Sequence, residues 1–126
     1  MVAGAKTFLA LGGVAALLAV ALGAFGAHAL KNRIPAEMLA VWHTGVEYHL
    51  FHALGLLAVG LAAVHLPDST LLKWSGWLML AGIVLFSGSL YALALSGERW
   101  LGAVTPVGGL AFLAAWVTFV TAVLKG

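Results

Sequence analysis

The residues able to bind a cation or move a proton crowd into one short stretch, Trp42-His43-Thr44-Gly45-Val46-Glu47-Tyr48-His49-Leu50-Phe51-His52. His28 precedes it, and Ser87, Ser89, Tyr91 and Thr105 follow at a distance. Imidazoles with a carboxylate are a workable ligand set for Zn or Fe, which makes His28, Glu47, His49 and His52 the metal candidates. Two histidines on different helices could instead hold haem iron, and a carboxylate in a membrane can load and release a cation. Acyl or phosphoryl chemistry has less to build on. Cys is absent, which excludes disulfides, thiolate nucleophiles and Cys metal sites. Ser87 and Ser89 flank Gly88, a context in which hydroxyls bond the carbonyls of the preceding turn. No nucleophile and base stand at a recognisable spacing.

On a helix His43 and Glu47 form an i, i+4 pair on one face, Tyr48 and His52 form a second such pair roughly opposite, and His49 points elsewhere. Glu47 and His52 lie about 140° apart around the axis, poor geometry for one ion, whereas His49 and His52 at i, i+3 could share one with His28. Polar groups that circle a helix need neighbours on several sides. The segment therefore belongs in the middle of a bundle, in an interface, or near enough to the headgroups for some groups to snorkel.

The surrounding elements are dictated by composition. Of the 126 residues, 63% are hydrophobic and 8% charged, with a mean hydropathy of +1.11. Soluble domains carry about 25% charged residues. So little charge cannot cover a surface in water, and most of the exterior must face lipid. Net charge is +2, and the pI near 9.3 reflects a handful of groups, so nucleic acid is not an expected partner. Four stretches are long and apolar enough to cross a bilayer: 7–30, 39–64, 71–96 and 106–124. The breaks between them are short and polar or contain Pro: Lys31 to Pro35, Leu66 to Thr70, and Gly97 to Trp100. Short connections make consecutive helices antiparallel. The expected fold is an all-α, up-down, integral membrane four-helix bundle in one domain, residues 1–126, with both termini on one side. Pro35 suits a first helical turn with Glu37 behind it, Asp68 or Ser69 can cap the third helix, and Thr105-Pro106 reads as N-cap then N1.

Lys6, the apolar run and Ala27-His28-Ala29 imitate a secretory signal, but the run is longer than a signal core and reads as a retained span. Basic residues divide evenly: Lys6, Lys73 and Lys125 on one side, and Lys31, Arg33 and Arg99 on the other. The positive-inside rule returns a tie, as a dual-topology dimer also would. With the first and third loops on one side, His28, the 42–52 stretch, Ser87, Ser89, Tyr91 and Thr105 fall in the adjacent leaflet. That asymmetry fits a cavity opening to one side. Gly and Ala supply close-packing faces, Trp42, Trp74, Trp77 and Trp100 lie near span ends, and Trp116, deeper, reads as packing.

The segments Gly23-Ala24-Phe25-Gly26-Ala27-His28, Thr44 to His52, Phe86-Ser87-Gly88-Ser89-Leu90-Tyr91 and Thr105-Pro106-Val107-Gly108-Gly109 resemble the YgdD family of small four-span inner-membrane proteins with a domain of unknown function. All four spans take part. The resemblance implies topology and a bacterial inner-membrane location rather than an activity, and relatives with a basic C-terminal tail imply cytoplasmic termini. His43 and His49 are less typical of the family pattern than Glu47, Tyr48 and His52. Ala115 in Ala114-Ala115-Trp116 stands where the family has Gly, which puts a methyl where helices approach.

The leading expectation is an accessory, scaffolding or lipid-facing binding protein without catalysis or cofactor, resident in the bilayer and associating with a larger membrane complex or with itself. The alternative is an ion- or small-solute-binding protein, transport-linked or metal-binding, centred on Glu47 with the intramembrane histidines around it.

Overall fold

A backbone inside lipid must satisfy its own hydrogen bonds, so each apolar stretch of this chain closes into a helix. The computed structural model describes residues 1–126. Helix α1 (Ala3–Phe25) runs into a π-helical turn at Gly26–Leu30, and α2 occupies Ala36–His65. Helix α3 (Thr70–Gly82), a second π-helical turn at Ile83–Ser87 and α4 (Gly88–Ser96) form one continuous rod. A 3-10 turn at Arg99–Ala103 then leads into α5 (Thr105–Lys125). Four segments, Ala3–Leu30, Ala36–His65, Thr70–Ser96 and Arg99–Lys125, are long and apolar enough to cross a membrane, and the architecture is a four-helix membrane bundle.

The helices start earlier than hydropathy alone indicates, because their first turns carry Lys6, Glu37 or Arg99 and dilute the apolar signal. Pro35 caps α2 instead of sitting in its first turn, and Glu37 lies just behind it. Ser69 caps α3, its Oγ accepting the Leu72 N–H at 3.2 Å. Thr105 is not a cap. The 3-10 turn delivers Val104 already helical, at φ −77° and ψ −33°, so Thr105 is inside the helix and Pro106 follows it. Gly97, at φ +74°, ends α4 with its N–H on the Leu93 carbonyl, a left-handed position that Gly occupies without strain. Asn32, at φ +72°, turns the first loop.

The closest pairings are α1 with α2 and α3 with α5, and α2 also packs along α3 and α4. The core gathers Phe8, Leu56, Val59, Met79, Phe112 and Ala115 from four of these helices. Helix α2 carries the largest buried share of the four spans, as its ring of polar groups requires. Outward, Leu17, Val20, Leu110 and Leu124 are more than half exposed, an apolar surface suited to acyl chains. Helices α2 and α5 run in the same direction and touch mainly through side chains, which leaves an open groove between them.

Candidate functional site

The polar residues separate into a buried network and an open groove. In the network, the Nδ1 of His49 on α2 lies 2.8 Å from the Tyr91 hydroxyl on α4. Ser87 donates to the Gly45 carbonyl at 2.7 Å, and Ser89 lies 2.6 Å from Thr105 Oγ1 while its hydroxyl also reaches the Phe86 carbonyl at 2.9 Å. Trp42 donates to the Leu22 carbonyl at 2.9 Å, tying α2 to α1. The π-helical turn sets up part of this geometry. It closes with the Gly88 N–H on the Ile83 carbonyl, which inserts one residue into the rod. Ser87 is thereby turned onto α2, while Phe86 brings its backbone against Gly108 of α5. A methyl at Gly108 would collide with the Phe86 N–H, and one at Gly45 would sit 2.9 Å from the Tyr91 ring. Both glycines are therefore points of contact between helices.

His52 lies deeper and is fixed at both nitrogens. Nδ1 is 2.8 Å from the Tyr48 carbonyl, which can only accept, and Nε2 is 3.0 Å from the Trp116 indole N–H, which can only donate. The ring proton therefore resides on Nδ1 and Nε2 presents its lone pair. The imidazole stacks on Phe112 with centroids 3.5 Å apart and planes 7° apart. Trp116 is thus a hydrogen-bond donor as well as a packing residue. The signal available in the sequence was that a buried indole N–H needs a partner. Ser75, which sequence reasoning also passed over, donates to the Ala115 carbonyl at 2.7 Å. The methyl of Ala115 does not keep α3 and α5 apart at this point.

The candidate metal ligands do not come together. No three His, Asp or Glu side chains converge on one point. His28, grouped by level with Glu47 and His52, is exposed at the end of the first span, and His43 and Glu47 are also exposed. His49 and His52 are each 4% exposed and face different partners, because three residues of helix separate their directions by about 60°. Of the residues singled out from the sequence, His49 pairs with Tyr91, Ser89 with Thr105, and Ser87 with the Gly45 carbonyl. His52 anchors α5, and Glu47 and Tyr48 line the groove.

The groove encloses about 770 Å³ between α2 and α5. One wall is Glu47, Tyr48, Phe51 and His52, and the other runs from Pro106 and Gly109 to Trp116. Tyr48 packs against Phe86 at 4.7 Å between centroids, and Phe86 against Phe112 at 5.5 Å. Glu47, exposed at the edge of this aromatic cleft, makes no ion pair within the chain.

A family model described as "Protein of unknown function (DUF423)" matches residues 22–109. The UPF0382 membrane protein YwdK of Bacillus subtilis is 54% identical over 120 residues, covering 95% of this chain and 98% of that protein. The chain belongs to the DUF423 family. Two further relatives of this DUF423 chain are the UPF0382 membrane protein SSP2132 of Staphylococcus saprophyticus, 46% identical, and a UPF0382 membrane protein of Staphylococcus epidermidis, 45% identical, each over 95% of this chain and at least 97% of the relative. No solved structure matches the chain. The DUF423 segment begins at Leu22, the acceptor for Trp42, and ends at Gly109, so it spans the whole buried network of the α2–α4 half. The lower groove wall, from Leu110 to Trp116, lies beyond it.

Proposed function

We propose that this DUF423 chain is a non-catalytic binding protein of the bacterial inner membrane, YgdD-like in topology with both termini cytoplasmic. In this reading it serves as an accessory to a larger membrane assembly or to further copies of itself. Its buried polar network holds the helices in register, and the groove between α2 and α5 is its working surface. One observation carries the reading: every buried side-chain nitrogen and oxygen already has a hydrogen-bond partner within the chain. Groups so engaged are not free to act on a substrate. Ser87 and Ser89 donate to backbone carbonyls, and both nitrogens of His52 are in use. Glu47 is the contrast. An ionisable group inside a span marks a functional site by default, and Glu47 has no hydrogen-bond or ion-pair partner within this chain. The groove beside it falls within the size of small-molecule sites, roughly 300–1,000 Å³.

Filling the groove tests the assignment. A methyl placed at Gly109 meets only Phe86 Cδ2, at 3.9 Å, so a side chain starts there without a clash, and Gly109→Leu adds bulk to the lining of the cleft. Native mass spectrometry of protein released from its membrane is expected to show a bound amphiphile or partner on the wild type and its loss from Gly109→Leu. Identical species on both would contradict the groove's role.

A further inference from the structure

The groove's chemistry identifies the class of occupant. Of its eleven lining residues five are Tyr, Phe or Trp: Tyr48, Phe51, Phe86, Phe112 and Trp116. Aromatic faces carry negative quadrupole potential and attract cations that can shed water. Glu47 adds a carboxyl group able to pair with a cation, and it lies about 5 Å from the midpoint of α2 at roughly 1.5 Å per residue. The chain has no cation to answer it. Its six Lys and Arg residues, Lys6, Lys31, Arg33, Lys73, Arg99 and Lys125, all lie in the loops or within a turn or so of a helix end. A second copy of the chain would bring none to this depth either. A strongly hydrated ammonium would lose too much water by entering, whereas a cation with its charge spread within apolar substituents would lose little.

We propose that the α2/α5 groove is a binding site for a lipophilic organic cation, held by the Glu47 carboxylate and by the faces of Tyr48, Phe51 and Trp116. The assignment rests on the groove being the working surface of the protein. It requires a carboxyl group, aromatic contact and an apolar rim, and the groove supplies Glu47, five aromatic side chains and the exposed Leu110 and Leu113.

Tetraphenylphosphonium is the probe, titrated by calorimetry into the full-length protein in lipid nanodiscs. Saturable binding is expected for the wild type, and the neutral triphenylphosphine oxide is not expected to compete. Glu47→Gln should weaken binding about tenfold or more, the order expected for a close charge pair. Phe51→Leu, which removes one exposed ring and keeps apolar bulk, should weaken it about two- to thirtyfold. Gly109→Leu blocks the cleft while leaving Glu47 in place, and it should abolish saturable binding even if the Glu47 variant proves hard to isolate. Absence of saturable binding to the wild type, equal affinity in Glu47→Gln, or equal competition by the neutral oxide would overturn the proposal. Loss of the native occupant from Gly109→Leu together with no phosphonium binding would leave the groove to an acyl chain or a partner helix. The cation assignment alone would then fail, and the binding role of the groove would stand.

Discussion

Two histidines three residues apart on α2 show how partners decide a side chain's task. His49 meets a phenol on α4, and His52 lies between a carbonyl of its own helix and an indole of α5. Interhelical hydrogen bonds in membranes average only about 0.6 kcal/mol, because the unfolded chain in lipid also finds partners. Leaving a buried acceptor unpaired costs more, about 1–3 kcal/mol. Trp116→Phe keeps the aromatic packing and strips Nε2 of its donor, so it should cost about 1 kcal/mol or a little more in detergent unfolding. The same change should release the His52 tautomer. Nitrogen NMR of the ring is expected to show the proton on Nδ1 in the wild type and a mixture in the variant, whereas a mixture in both would contradict the assigned bond. The identities of His49, Tyr48 and Glu47 as notable residues were legible in the sequence, since ionisable groups inside a span stand out from Leu and Ala. Their partners were not. Tyr91 and Trp116 are remote in the chain from the histidines they meet, and only helix packing decides which rotations face each other.

At the level of elements, the π-helical turn at Ile83–Ser87 is the feature that hydropathy could not reveal. One extra residue leaves the apolar run intact and changes only the angle between the two halves of the rod. The helix count, the order of the spans and the loops were legible, because charge and Pro mark the breaks. Helix starts were offset by one to several residues, because a 3-10 turn or a charged first turn leaves little hydropathic trace. Val84, exposed within the turn, offers a direct test. Its deletion converts the turn to regular α-helix and keeps the α4 side chains in register, so the His49–Tyr91 contact should survive. Deletion of Leu80 in regular α3 instead rotates everything downstream by about 100° and should abolish that contact. Cross-linking by a short bis-thiol-reactive reagent between cysteines placed at 49 and 91 in each background, calibrated on the undeleted chain, reads their proximity, cleanly because the chain has no cysteine of its own. Equal cross-linking after both deletions would show that the inserted residue does not set the register.

Across the whole molecule, polar groups are divided by access rather than by type. At the α2–α4 seam the His49 imidazole meets the Tyr91 phenol and Ser87 meets the Gly45 carbonyl, with Ser89 and Thr105 paired where α4 meets α5, while Glu47 and the aromatic cleft lie between α2 and α5. Most of the polar residues singled out lie toward the first- and third-loop end of the bundle, as their positions along four antiparallel spans indicate, while Ser75 lies toward the other end. Their division into an inner and an outer set was not legible in the sequence, because that depends on which face of α2 meets α4 and which is left uncovered. The division gives opposite expectations for two substitutions on the same helix, one turn or less apart. Equilibrium unfolding in detergent of His49→Phe and Glu47→Gln, beside the wild type, measures it most directly. His49→Phe leaves the Tyr91 hydroxyl without its partner and should lose about 1–3 kcal/mol. Glu47→Gln changes a carboxyl group that holds nothing within the chain, so its stability should stay within about 0.5 kcal/mol of the wild type. Equal losses in the two variants would place Glu47 in the structural network and contradict the separation of scaffold from binding surface.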